Sequence, residues 1–170
     1  MHQNDHQAAH NREHFDRHGV LAINLMSSPG SGKTRLLETT IDALDDRVRI
    51  AVIEGDLETE NDARRIRAKG VPAVLVCPAG FDLGQHANVT LLSTAEGDDK
   101  PAKYPVMFRA ADLVLLTKAD LLPVFDDFSP ERATSYVRAL ANDAEVFAVS
   151  ARQADVLAPW LDWLDGRLRS

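Results

Sequence analysis

Residues Ser27-Ser28-Pro29-Gly30-Ser31-Gly32-Lys33-Thr34 join a glycine-rich turn to a lysine and a hydroxyl in the spacing of a phosphate-binding loop. Backbone N–H groups of such a turn, aimed by a helix N-terminus, cradle phosphate oxygens. Lys33 is placed to reach the β and γ phosphates, and Thr34 to offer its hydroxyl to Mg²⁺. Pro29, Gly30, Ser31, Gly32, Lys33, Thr34 and Arg35 are therefore expected to line a nucleotide, with Lys33 also catalytic. Ser27 departs from the general pattern G-x-x-x-x-G-K-S/T, whose first position is Gly. A second group is Thr117-Lys118-Ala119-Asp120, directly after an apolar run. An aspartate there has acceptors only, so it suits the N1–H and 2-amino donors of guanine, which adenine lacks in that geometry. The lysine stem can lie along the base, and GTP is favoured over ATP. Ser150-Ala151 follows the next apolar run and fits a loop closing over the guanine from the other side. The third group is Glu54-Gly55-Asp56. A carboxylate at the carboxyl end of a parallel strand beside a phosphate loop manages Mg²⁺ and the attacking water. Asp56 is the candidate for both duties, with Glu54 second and helix capping before Thr59 as its plainer role.

These groups need a scaffold of strands ending at one edge. Short apolar runs at 20–26, 48–53, 73–76, 89–93, 112–116 and 145–149 read as strands, and 33–44, 59–69, 104–110, 130–141 and 153–168 read as helices. Val-, Leu- and Ile-rich runs alternating with helices imply an α/β fold, a mostly parallel sheet covered by helices on both faces in three layers. Gly70 followed by Pro72 ends a helix, because glycine supplies the left-handed cap and proline cannot continue. The stripe Leu157, Trp160, Leu161, Trp163, Leu164 and Leu168 reads as core or dimer seam.

The bulk properties narrow the setting. A chain of 170 residues fits one domain, and its single cysteine, Cys77, permits no internal disulfide, which points to a reducing cytoplasm. No apolar run approaches the roughly 20 residues of a membrane helix. A net charge of −7 argues against broad nucleic-acid binding.

The residues also resemble a known family. Asn11-Arg12 with Phe15, the run from Gly19 to Thr34, Glu54-Gly55-Asp56 with Asn61-Asp62-Ala63-Arg64-Arg65-Ile66, Cys77-Pro78-Ala79 with Phe81-Asp82-Leu83-Gly84, Glu96-Gly97-Asp98-Asp99-Lys100-Pro101 with Lys103-Tyr104-Pro105, and Lys118 with Asp120-Leu121-Leu122-Pro123 are similar to HypB, the hydrogenase nickel-incorporation GTPases related to the urease accessory protein UreG. The likeness covers nearly the whole chain, and Ser-Ser ahead of Pro-Gly-Ser-Gly-Lys-Thr is ordinary in that family. It implies a P-loop NTPase of the SIMIBI class that binds GTP/GDP and Mg²⁺, dimerises around nucleotide, and helps maturation proteins deliver Ni²⁺ to the hydrogenase large subunit. It implies too that Cys77 matches one metal ligand and that Lys100 reaches a partner's guanine; without the resemblance, Lys100 and Lys103 could be a solvated turn.

Against the family pattern, the chain passes straight from Val76 to Cys77-Pro78. In the family an additional segment lies there, holding a Cys-His metal pair and a Glu-Asn-Val-Gly-Asn switch that senses the γ-phosphate. A parallel sheet does not tolerate an empty central slot, so residues 72–77 are expected to move beside the phosphate-loop strand, leaving the sheet one strand narrower. The loss also opens a second functional reading, a protein that binds GTP but hydrolyses it poorly and serves as an accessory or nickel store. A small-molecule kinase is disfavoured by Lys118 and Asp120.

The N-terminal segment, 1–18, stands apart from the GTPase domain at 19–170. His2, His6, His10, His14 and His18 recur every four residues. At about 100° per residue a helix would place them on one broad face with i,i+4 neighbours close enough to share a metal, and imidazole suits Ni²⁺ and Zn²⁺. With few apolar residues the segment could instead be unstructured. His86 reads as a surface loop residue.

Overall fold

A computed structural model describes residues 2–54, 60–75 and 82–169. Its elements run α1 (His2–Arg17), β1 (Ile23–Ser27), α2 (Lys33–Leu44), β2 (Val52–Glu54), α3 (Glu60–Arg67), β3 (Ala73–Leu75), β4 (Ala87–Ser93), α4 (Lys100–Lys103), α5 (Pro105–Arg109), β5 (Leu113–Thr117), α6 (Pro130–Ala139), β6 (Glu145–Ala148) and α7 (Ala154–Leu168), with 3-10 turns at Asp45–Arg47, Thr94–Glu96 and Ala119–Leu121. The chain divides into two compact units, Met1–Gly32 with Asp82–Ser170, and Lys33–Phe81.

The first unit is built on a four-stranded parallel sheet in the order β1-β4-β5-β6. β5 buries all five of its side chains and β4 six of its seven, as parallel strands covered on both faces do. Leu92, Phe108, Ala111, Val114, Leu116, Phe128, Ala133 and Val137 form one apolar cluster on this sheet. Ser129 caps α6 by accepting a bond from the Arg132 N–H, and Pro130 takes the first turn, where its missing N–H costs nothing. In α7 the expected stripe buries Leu157, Trp160 and Leu164, while Leu168 stays 40% exposed.

In the same unit α1 is a docked helix, although it is very polar. Its side chains grip the backbone of 82–86: Asn11 donates to the Leu83 carbonyl at 3.1 Å, and Arg12 to the carbonyls of Gly84, at 2.8 Å, and of Gln85. Gly84 has φ +81°, and a Cβ there would stand 2.3 Å from the Ala8 carbonyl oxygen, so only glycine admits this approach. His86 is more than a surface loop residue. Its Nδ1 accepts from the Ala22 N–H at 3.0 Å, and its Nε2 stands 2.9 Å from Asp16 Oδ1.

The second unit holds β2 and β3 as a separate parallel pair, in the register Val52↔Ala73 to Glu54↔Leu75. Ile41, Ala63, Ile66 and Ala73 make its core, with Leu37, Ile50, Val52 and Val71 packed against them. Gly70 ends the helical segment at φ +81°, as its place before Pro72 implies. Among the described residues, which include 72–75 of the 72–77 expected to fill the slot beside the phosphate-loop strand, that expectation is not met. β3 pairs with β2, and the hydrogen-bonded neighbour of β1 is β4. The reason is local: β2, α3 and β3 form one crossover unit whose strands pair side by side, and moving β3 would strip Ala73 from Ala63 and Ile66.

Candidate nucleotide site

In the first unit the carboxyl ends of β1, β4, β5 and β6 lie along one edge, set by the parallel register Ser27↔Leu91, Ser93↔Thr117 and Leu116↔Ala148. In open α/β sheets this edge is where ligands bind. The loops leaving it carry 28–32, 94–100, 118–120 and 150–151.

The loop after β1 turns at Ser28, whose carbonyl accepts from the Ser31 N–H at 3.3 Å. Gly30 and Gly32 take φ +78° and +93°, conformations that expose consecutive backbone N–H groups. Ser31 is 1% exposed, and its Oγ is the one buried side-chain polar atom without a hydrogen-bond partner among the described residues. α2 then begins at Lys33, with Thr34 9% exposed at its second position. Arg35 Nη1 stands 3.6 Å from Glu38 Oε2 within the second unit.

The loop after β5 is tied to the one after β1. Thr117 Oγ1 donates to the Ser31 carbonyl at 2.6 Å, and Lys118 Nζ to the Gly30 carbonyl at 2.8 Å. Lys118 holds φ +59°, a left-handed backbone that costs a side-chain-bearing residue about 1–2 kcal/mol. Thr94 Oγ1 supports it by donating to its carbonyl at 3.1 Å. The lysine stem therefore runs along the loop, with Cε 3.9 Å from where a Gly32 Cβ would be. Asp120 follows in the 3-10 turn, and its Oδ1 accepts from Ser150 Oγ at 2.7 Å. Ser150, fully buried, in turn accepts from the Arg152 N–H at 3.2 Å. A carboxylate offers about four acceptor sites, so the Ser150 bond orients Asp120 and leaves acceptors for a ligand's donors.

Lys100 lies against the same loop, not in a solvated turn. Its Nζ donates to Ser28 Oγ at 3.1 Å and to Glu96 Oε1 at 3.3 Å. Ser28, Thr94 and Glu96 are the partners that sequence reasoning passed over. The pattern Ser93-Thr94-Ala95-Glu96 is a capping-box signature with Lys100 four residues beyond, a legible sign that Glu96 is fixed and faces a lysine.

Two of the expected residues, Asp56 and Cys77, lie outside the described residues, and Glu54 is placed only as the end of β2. Of the histidines, His6, His10 and His14 are exposed on α1 and His18 in the turn that follows it, and the His14 and His18 rings stand 4.5 Å apart. Among the described residues, no group of three or more His, Cys, Asp or Glu side chains is assembled to hold a metal, and no helix is long and apolar enough to cross a membrane.

The parallel sheet, the glycine-rich loop leaving β1 and the Thr-Lys-x-Asp loop leaving β5 define a P-loop α/β protein of the GTPase type. The model of the CobW/HypB/UreG nucleotide-binding domain matches residues 21–80. The chain is 44% identical over 200 aligned positions to the hydrogenase maturation factor HypB of Azotobacter vinelandii, covering 96% of this chain and 66% of that relative. Against HypB of Escherichia coli K12 the figures are 40% identity, 96% of this chain and 69% of the relative. A crystal structure of HypB from Helicobacter pylori in complex with nickel superposes with a TM-score of 0.90 at 32% identity, over 98% of this chain and 95% of that one. The chain belongs to the HypB family of hydrogenase maturation factors. Alignments of 200 positions exceed its 170 residues, so these relatives carry internal residues that it lacks.

Proposed function

We propose that this chain binds GTP and GDP, hydrolyses GTP, and serves as a nickel metallochaperone in the maturation of nickel–iron hydrogenase. The observation that supports it most is the union of two loops: Asp120, oriented by Ser150, and Lys118, lying along the glycine-rich turn, put a guanine-type acceptor and a phosphate cradle on one edge. Ser150 and Ala151 close the base side, and Pro29 to Thr34, with Arg35 beyond them, supply the phosphate side.

Thr34 suits Mg²⁺ through a hydroxyl at the second position of α2, and Asp56 is its partner by the sequence argument. Bound Mg²⁺ supplies charge neutralisation on the phosphate oxygens. Lys33 adds a second cation there, Asp56 orients the attacking water, and the Gly30–Gly32 turn presents its N–H groups to the transferred group. Nickel is the cargo. His2, His6, His10 and His14 of α1 with His18 in the turn after it, the His14 and His18 rings already adjacent, and Cys77 are its donors, and neutral imidazole takes Zn²⁺ as well. The relatives' names as hydrogenase maturation factors support hydrogenase maturation proteins as partners; the hydrogenase large subunit as client and a nucleotide-dependent homodimer in the cytoplasm complete the reading.

The test is calorimetry on the whole chain. GDP is expected to bind at least about tenfold tighter than ADP, a difference of about 1.4 kcal/mol, and Asp120→Asn to shift preference towards xanthine nucleotides. Equal affinity for GDP and ADP would remove the guanine reading. GTP turnover measured with and without Ni²⁺ then separates an active GTPase from a protein that only binds.

A further inference from the structure

The Lys100 ammonium is held by a chain of contacts that starts in the sheet. At the end of β4 the Ser93 N–H donates to Glu96 Oε2 at 3.0 Å while Ser93 Oγ accepts from the Ala95 N–H at 3.3 Å, a reciprocal cap that fixes the carboxylate. The other oxygen, Oε1, faces Lys100 Nζ. The ammonium also sits 4.9 Å from the centroid of the Tyr104 ring and donates to Ser28, the residue before Pro29 in the phosphate loop. Both charged side chains are largely withdrawn from water, Lys100 at 19% and Glu96 at 15% exposure.

We propose that Lys100 is a phosphate-binding cation supplied to the nucleotide by its own chain and tempered by Glu96, which offsets its charge and competes with phosphate for it. The proposal rests on reading the loop as the nucleotide site. An ammonium has three N–H donors, and Ser28 and Glu96 engage two. Poor access to water strengthens its attraction to a phosphate in the adjoining turn, and an unneutralised Glu96 in the same place would repel that phosphate. The resemblance sends Lys100 to the guanine of a second copy; the contacts put it on Ser28 of its own loop.

The experiment is calorimetric binding of GDP and GTP to the full chain and to Lys100→Met, Lys100→Arg, Glu96→Gln and the Lys100→Met/Glu96→Gln double variant. Lys100→Met is expected to weaken both nucleotides about tenfold, the effect of losing one charge-assisted bond. Lys100→Arg keeps the charge and stays near the parent. Glu96→Gln retains a carbonyl for the Ser93 N–H, loses the counter-charge, and binds more tightly. The double variant binds more tightly than Lys100→Met, in which the unneutralised Glu96 repels the phosphate, and more weakly than the parent, which keeps the Lys100 ammonium. Lys100→Met remains weak when mixed with excess Lys33→Ala chains, whose Lys100 is intact. Parent-like binding by Lys100→Met, equal weakening by Glu96→Gln, or rescue by the Lys33→Ala chains would overturn the proposal. If the parent itself binds neither nucleotide, the underlying reading of the loop fails, a result distinct from all of these.

Discussion

β5 and the β2–β3 pair are both parallel strands of apolar residues, yet they are stabilised differently. β5 hides every side chain, whereas Ile53 and Val74, register partners on β2 and β3, remain 68% and 56% exposed. The four-stranded sheet draws its stability from core on both faces. The two-stranded pair, marginal by itself, has one face on Ile41, Ala63 and Ile66 and leans on ion pairs from α2 to α3 and the turn after it, Glu38 with Arg65 and Asp42 with Lys69. The division of chemistry follows. The residues proposed to recognise a base by hydrogen bonds, Asp120 and Ser150, follow strands of the four-stranded sheet, and Lys33 and Thr34 open a helix of the more lightly built unit.

The largest effect that tests this contrast is in stability. Phe108 is fully buried in the cluster with Val114, Leu116 and Val137, so Phe108→Ala should cost about 3–5 kcal/mol. Ile53→Ala, at an exposed site, should stay within about 1 kcal/mol. Urea denaturation of both variants gives the comparison, and similar losses would abolish the distinction between the units.

Next in size is an effect on binding with none on folding. Lys33→Ala removes the one charge at the start of α2 assigned to the β and γ phosphates. Nucleotide affinity should fall by about 2–4 kcal/mol while the unfolding midpoint holds, because a loop-end charge packs nothing. A variant that unfolds would make Lys33 a structural residue, and normal GTP binding would show that the loop has been misread.

The six strands and the phosphate loop were legible because both are local: apolar runs bounded by helices, and a glycine-lysine spacing that admits few other uses. The placement of β3 was not, since strand pairing is a long-range choice that periodicity does not encode. α1 escaped full recognition for another reason. It is anchored by Asn11 and Arg12 bonding to carbonyls and by a glycine's missing Cβ, so it shows no apolar stripe to announce its docking. In the proposed site, the candidates Lys118 and Asp120 stand out by spacing, but Ser28, Thr94 and Glu96 act on other residues rather than on a ligand, and such roles carry no residue type of their own.

The smallest expected effect concerns the ion pair that stands in for core in the second unit. Glu38 Oε1 and Oε2 accept from Arg65 Nε at 2.9 Å and Nη2 at 2.7 Å, a two-pronged pair with Arg35 nearby. The Arg65 hydrogen bonds, partly opposed by burial, hold the Glu38 carboxyl below its ordinary value of 4.5. A carboxyl whose pKa is depressed on folding adds stability that is fully present above its unfolded value and is lost as pH falls through the lower folded one. Glu38→Gln should therefore cost about 1–2 kcal/mol at neutral pH, discounted for the 47% exposure of the Arg65 side chain. The gap from the parent should narrow as pH falls below the ordinary carboxyl value of 4.5 and through the lower folded one, where the parent's carboxyl takes up its proton. Hydrogen exchange locates the loss: α3 amides should open more readily in the variant while those of β5 do not change. A gap that stays constant into acid, or one that appears equally in β5, would mean that Glu38 acts through packing and that the second unit is not specially dependent on charge.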